Sequence, residues 1–270
     1  MADAPRADFL HRIATDRRGR VAEMERRVPG YALRAHLGPA PPAGRLERAL
    51  RRPPGQPLRL VCEIKRASPS KGLLREDVDP VAIARLYEQG GASAVSIVTE
   101  PDHFRGDLAW VNAVRAAVRL PILLKDFVVD GYQLLDAAVR GADGVLLLAA
   151  LLSEVTLQRL VTEALLLGLD ALVEVHNEDE LRVALRAGAT LIGINHRDLR
   201  TFEVDLETSS RLLPRVPPLV TAVAESGIST PADLARLRAT RCDAVLMGEV
   251  FMTSPEPAAQ LASLLAAARG

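Results

Sequence analysis

The stretch LVCEIKRASPS, residues 60–70, reads as a buried strand running out into a polar loop. Side chains alternate across a strand, so Cys62 and Ile64 face one way and Glu63 and Lys65 the other. Two charged groups on one face are costly in a packed interior but tolerable where a strand ends at an open mouth. Seven further apolar runs follow: 94–99 (AVSIVT), 121–127 (PILLKDF), 144–149 (GVLLLA), 171–175 (ALVEV), 190–195 (TLIGIN), 219–225 (LVTAVAE) and 244–249 (AVLMGE). Between them lie polar loops and stretches of helical period. Several of these close on glycine, as at Gly90-Gly91, Gly141 and Gly188, where a left-handed residue ends a helix and turns the chain into the next strand.

Near-continuous apolar strands alternating with helices describe a parallel sheet covered on both faces. Eight such units predict an α/β fold closed as a (β/α)8 TIM barrel. A doubly wound open sheet would show a glycine-rich dinucleotide loop after its first strand, and SPSKG is not one. At 270 residues the chain suits a single barrel, and with 49% apolar but only 3% aromatic residues, branched aliphatics must fill it. Pro39 to Gly44 and Pro53-Pro54-Gly55 set off an N-terminal helical extension, residues 1–52, from a barrel spanning 53–270, the two forming one structural domain. Helices are expected over residues 5–28 and 44–51, lying across a barrel opening.

Formal net charge is zero, which argues against nucleic-acid binding or a membrane-surface role. The balance hides an asymmetry, since residues 1–52 hold twelve Arg against six acidic residues. The segment reads as a solvated helical extension; the other reading is a docking arm for an anionic substrate or partner. Cys62 and Cys242, the only cysteines, offer neither a disulfide framework nor metal-ligand spacing and read as small buried hydrophobes. The opening MADAPRADFLHR has no signal-peptide core and no apolar run is long enough for a membrane span, so a cytoplasmic protein is expected.

The strand ends carry the chemistry. Lys125, Glu174, Asn195 and Glu225 stand where Glu63 and Lys65 stand in the first strand, at the end where barrel catalysis is found. Of 34 basic residues only Lys65, Lys71 and Lys125 are lysine, and two of them lie at strand ends. Arginine is effectively never deprotonated, whereas a desolvated lysine can be tuned for proton transfer. Glu225-Ser226-Gly227-Ile228 and Gly248-Glu249 follow strands seven and eight, where barrels commonly hold phosphate on backbone N–H groups, and Ser68 could add a hydroxyl. His176 and His196 read as loop or rim residues, without convincing metal-ligand spacing nearby. No Gly-x-Ser-x-Gly elbow supports nucleophilic hydrolysis.

At these positions the chain resembles the indole-3-glycerol phosphate synthase family. The matching segments are Glu63-Ile64-Lys65-Arg66-Ala67-Ser68-Pro69-Ser70, Leu124-Lys125-Asp126-Phe127, Leu172-Val173-Glu174-Val175-His176, Ile192-Gly193-Ile194-Asn195, Arg197-Asp198-Leu199 and Glu225-Ser226-Gly227-Ile228. The resemblance implies conversion of 1-(2-carboxyphenylamino)-1-deoxyribulose 5-phosphate to indole-3-glycerol phosphate with loss of carbon dioxide and water, without metal or organic cofactor. It implies Lys125 as general acid for ring closure and Glu174 as base or stabiliser of the later steps. Lys65 would be a second acid or a carboxylate ligand held by Glu63, Asn195 an orienting group, and Arg197 a contact for the anthranilate end. Ser68, Ser226, Gly227, Gly248 and Glu249 would hold phosphate, the Glu249 side chain pointing away. Phe104, Phe127, Leu146 and Leu199 would form the aromatic pocket.

The chain departs from the family at Asp107 and Val250, where serine is common, and at His196, where asparagine is common. Two other readings stand beside this one. A phosphate-binding isomerase of the preceding intermediate would need an Asp and Cys pair, and Cys62 has the wrong parity for it. A catalytically dead binding barrel would not be expected to keep Glu63, Lys65, Lys125 and Glu174 together. A monomer, or at most a weak dimer, is expected.

Overall fold

The structure is a computed structural model describing residues 7–38, 43–199 and 201–270. Eight parallel strands close a barrel: β1 Arg59–Ile64, β2 Ala94–Val98, β3 Ile122–Lys125, β4 Gly144–Leu148, β5 Asp170–Val175, β6 Leu191–Asn195, β7 Thr221–Glu225 and β8 Ala244–Met247. Closure is made by β8 on β1, in a register running from Arg59 beside Ala244 to Cys62 beside Met247. Every apolar run read from the sequence holds one of these strands. A short antiparallel ladder, Ala67–Ser68 with Gly72–Leu73, shapes the first loop.

Local sequence sets the helix starts. Asp79, Ser153 and Asn177 each accept backbone N–H bonds from the first turn they precede, while Asp130 with Gln133 and Thr230 with Asp233 form reciprocal capping boxes. The helix-ending glycines Gly91, Gly141 and Gly188 do have left-handed backbones, with φ of 92°, 83° and 87°.

Strand parity divides the core into two parts. Cys62, Ile64, Val95, Ile97, Leu147 and Val173 face outward under the helices. Val61, Ala94, Leu123, Leu146, Leu172, Leu191, Val223 and Leu246 belong to a second cluster, the column inside the barrel. Cys62 therefore points away from the mouth, and burial pushes its thiol well above the usual range. Burial likewise pushes Cys242 up to about 12.

The N-terminal extension joins the inner column at both ends. Helix α1 (Ala7–Arg27) sends Phe9 and Ile13 into it, with Phe9 edge-on to Phe202 at 5.2 Å. Residues 5 and 6 of the expected helix, and residues 39–42 of the expected proline boundary, lie outside the described residues. A short helix not read from the sequence, α2 (Gly30–Arg34), follows Pro29. Helix α3 (Arg45–Leu50) closes the opposite end with Leu46 and Leu50. Gly144 leaves room for Leu46 there, since a Cβ would sit 2.6 Å from its Cδ2.

Asp170, at the start of β5, accepts the N–H groups of Gly44 (2.6 Å), Leu46 (2.8 Å) and Glu47 (3.0 Å), so a barrel carboxylate caps α3. Asp170→Ala is expected to lower unfolding free energy by about 1–2 kcal/mol, seen as a lower urea midpoint with unchanged KM. The basic segment is thus only partly the solvated extension expected. Arg17 is buried against Asp126 at 3.0 Å, Arg20 pairs with Asp102, and Arg45 reaches Asp143 at 2.6 Å. Those arginines dock on the acidic barrel of their own chain. No helix among the described residues is long and apolar enough to cross a membrane.

Candidate active site

At the C-terminal mouth the interior layer is charged. Alternate strands β1, β3, β5 and β7 supply Glu63, Lys125, Glu174 and Glu225, in the way barrel layers take four side chains from alternate strands. Lys125 Nζ lies 4.0 Å from Glu63 Oε2, 4.0 Å from Glu174 Oε2 and 3.9 Å from Glu225 Oε2. Lys65 Nζ binds Glu63 Oε1 at 2.6 Å. One ammonium therefore sits among three buried carboxyls, and a second is fixed beside it.

Two glycines make the space. A Cβ on Gly193 would overlap Glu225 Oε1, and one on Gly248 would sit 2.6 Å from Glu63 Oε1. Gly193→Ala is expected to displace the Glu225 carboxyl, costing about 1–3 kcal/mol of stability. Its melting temperature and kcat should both fall, measured by calorimetry and steady-state kinetics.

The surroundings split the protonation states. Burial pushes Glu63 upward, but Lys65 and Lys125 outweigh it and hold the carboxylate below its usual range. Burial acts the same way on Glu174, yet His176 and Lys125 bring it down to about 2. Burial draws Lys125 downward, and Glu63, Glu225 and Glu174 together hold it well above the lysine range. Glu225 goes the other way. Burial and the charge of Glu174 push it up to about 8, with Lys125 offsetting only part. At neutral pH two carboxylates, Glu63 and Glu174, and one carboxylic acid, Glu225, thus surround the Lys125 ammonium.

This state has a consequence for stability. An unfolded Glu loses its proton near about 4.3, whereas Glu225 keeps it to about 8 when folded. Between those values the folded chain binds the extra proton, so stability falls as pH rises through that window and levels off above it. Calorimetry of the unliganded protein should show this decline between about pH 4 and 8, and Glu225→Gln should flatten it.

Several polar atoms here have no partner: both Glu225 oxygens and Glu174 Oε1 are buried without a hydrogen bond. Such groups are exceptional in a folded protein and are free to meet an incoming molecule. His176 Nε2 approaches Glu174 Oε1 at 3.4 Å, a charge contact rather than a hydrogen bond, and its Nδ1 lies 3.0 Å from Glu180 Oε2. Burial lowers its basicity, but the two carboxylates raise the imidazole to about 10. His176 is therefore a cation behind Glu174, not the rim residue expected. His196, only 2% exposed, is a buried residue behind the mouth and likewise not at its rim.

Above the charged layer opens a cavity. All fifteen residues singled out from the sequence line it: Lys125, Glu174, Lys65, Glu63, Asn195, Ser226, Ser68, Arg197, Gly227, Gly248, Glu249, Phe104, Phe127, Leu146 and Leu199. Phe104 and Phe127 tilt together with ring centres 6.1 Å apart. Asn195 Oδ1 accepts the Arg197 N–H at 3.0 Å, and the Arg197 guanidinium donates to Phe202 O at 3.2 Å. Glu249 turns towards Lys71, 3.8 Å away. Ser226 and Gly227 both have left-handed backbones, with φ of 66° and 71°. Arg105 and Phe202, the other non-glycine residues at positive φ among the described residues, also lie in loops that follow strands.

Among the wall residues not named as site residues from the sequence are Glu225, Phe9 and Phe202. The parity that marked Glu225 as a mouth residue was the available signal, whereas nothing local in the sequence brings Phe9 across to the mouth. Among the described residues no group of three or more His, Cys, Asp or Glu side chains is arranged to hold a metal ion.

Residues 10–264 match the family described as indole-3-glycerol phosphate synthase. The chain belongs to that family. An indole-3-glycerol phosphate synthase of Dehalococcoides mccartyi strain CBDB1 is 43% identical over 262 residues, covering 95% of this chain and all of the relative. One from Roseiflexus sp. is 43% identical over 95% of this chain and 97% of its own length. Indole-3-glycerol phosphate synthase 1 of Streptomyces coelicolor is 43% identical over 96% and 95%. Among solved structures, 3-hexulose-6-phosphate synthase from Salmonella typhimurium superposes with a TM-score of 0.64 at 15% identity, covering 78% of this chain and 98% of its own. KGPDC from Streptococcus mutans gives 0.61 at 13% identity, covering 79% and 98%. At those identities the two share the barrel with this indole-3-glycerol phosphate synthase family member, and the likeness goes no further.

Proposed function

We propose that the protein is an indole-3-glycerol phosphate synthase acting on 1-(2-carboxyphenylamino)-1-deoxyribulose 5-phosphate. The observation that carries the reading is the Lys125 ammonium held at about 4 Å from three buried carboxyls beneath a cavity with one aromatic and one glycine-rich wall.

In this reading the anthranilate ring lies among Phe104, Phe127, Leu146 and Leu199, with its carboxylate on Lys65 or Arg197. The phosphate lies against Ser68, Ser226, Gly227, Gly248 and Glu249, the last through its N–H. Lys125 gives a proton to the ketone oxygen as the ring carbon bearing the carboxylate attacks the ketone carbon. Carbon dioxide then leaves from that ring carbon. The new hydroxyl departs as water with a second proton, from Lys125 or from Lys65, and Glu174 takes up the carbon-bound proton that completes the indole. Asn195, which hydrogen-bonds the Glu174 carboxylate, orients the hydroxyl groups. Glu63 anchors Lys65, and the apolar walls exclude water, which strengthens each charge contact.

In this reading the protein is a monomer, or at most a weak dimer. A phosphorylated sugar derivative as substrate fits a cytoplasmic setting. Supplying substrate labelled at the carboxyl carbon tests the reaction: one labelled carbon dioxide should appear per turnover. Turnover that retains the label would exclude decarboxylation and with it this reading.

A further inference from the structure

His196 lies at the end of β6 but lines no part of the active-site cavity. It lines a smaller hollow behind it, with Ser209 and Asp233. Both ring nitrogens are engaged: Nδ1 lies 2.8 Å from Ser226 O and Nε2 lies 2.6 Å from Ser209 Oγ. A carbonyl only accepts, so Nδ1 carries the proton and Nε2 accepts the Ser209 hydroxyl proton. Burial holds the imidazole below the usual histidine range, which keeps this neutral form.

The bonded carbonyl belongs to the peptide joining Ser226 to Gly227. In a planar trans peptide the C=O and the following N–H point in opposite directions. Fixing Ser226 O on the hollow side therefore aims Gly227 N–H at the active-site cavity, whose wall Gly227 forms. Both flanking residues are left-handed, a conformation a serine adopts only when its surroundings hold it there. Val204 and Leu206 close on Gly227 from the β6 loop, leaving no room for a side chain.

We infer that His196 is a positioning residue that orients the Ser226–Gly227 peptide so that the Gly227 N–H binds the substrate phosphate. The inference rests on the phosphate lying at the loops after β7 and β8. It also gives a role to a residue standing where the family commonly has asparagine, whose amide can make the same donation.

The test compares wild type, His196→Phe and His196→Asn by steady-state kinetics, with inorganic phosphate as competing ligand. His196→Phe should raise KM and the phosphate inhibition constant about tenfold, as loss of one well-aimed bond implies, while kcat stays within about threefold. His196→Asn should recover most of that loss. If His196→Phe proves unstable, Ser209→Ala, which leaves Nε2 without its donor, should raise KM in the same direction with kcat held. A fall in kcat with KM and phosphate inhibition unchanged would overturn the inference, as would a folded His196→Phe enzyme with wild-type constants. Should phosphate fail to compete in the wild type, the phosphate site itself would be wrong, and this inference with it.

Discussion

Replacing Lys125 with alanine should lower kcat by about 10²–10⁴-fold, the usual contribution of a positioned proton donor, with the fold retained. Among the described residues, no other side-chain nitrogen stands at this point between Glu63, Glu174 and Glu225. Lys65 is turned to Glu63 and already bonded to it. Loss of the ammonium leaves buried carboxyls without their cation, and these take up protons rather than stay charged. The variant should therefore keep its circular dichroism spectrum while Glu174 and Glu63 titrate at higher pH. Lys125→Arg should not restore activity, because a planar, forked guanidinium cannot take the point position that the compact ammonium holds between the three carboxyls. Kinetics and melting curves of the two variants check this together; a near-wild-type kcat in either would remove Lys125 from the acid role.

Glu174→Gln should cost a comparable factor, about 10²–10⁴ in kcat, but at a different step. The amide keeps the shape of a side chain only 1% exposed and removes its basicity. Ring closure and loss of carbon dioxide, which call on Lys125, should continue while proton removal stalls. Single-turnover mixing should then show carbon dioxide released ahead of indole, whereas in Lys125→Ala both should be slowed alike. Equal suppression of both products in Glu174→Gln would assign Glu174 to the first step instead. His176 bears on the same group, since its cation 3.4 Å away stabilises the carboxylate.

Much of this arrangement is visible in the sequence because two regularities survive without coordinates. The period of two in LVCEIK puts Glu63 and Lys65 on the inner face and Cys62 on the outer, as the two core clusters show. The scarcity of lysine makes Lys65 and Lys125 stand out against an arginine-rich background. What stays hidden depends on contacts across the barrel. Parity puts Glu225 at the mouth, but only barrel closure brings β7 opposite β3 and so sets Glu225 beside Lys125 and raises it to about 8. Phe9 reaches the mouth because α1 docks through Arg17 on Asp126, a contact 109 residues apart in sequence. His176 and His196 look like loop residues because each follows a strand end, and it is tertiary packing that buries them.

Closure of an indole ring at this site is read by following indole fluorescence as purified protein meets 1-(2-carboxyphenylamino)-1-deoxyribulose 5-phosphate. Wild type should produce the indole signal in proportion to enzyme, with substrate consumed one for one, and Lys125→Ala at equal concentration should produce almost none. A folded wild-type protein that leaves the substrate intact, or a Lys125→Ala variant that matches it, would contradict the account.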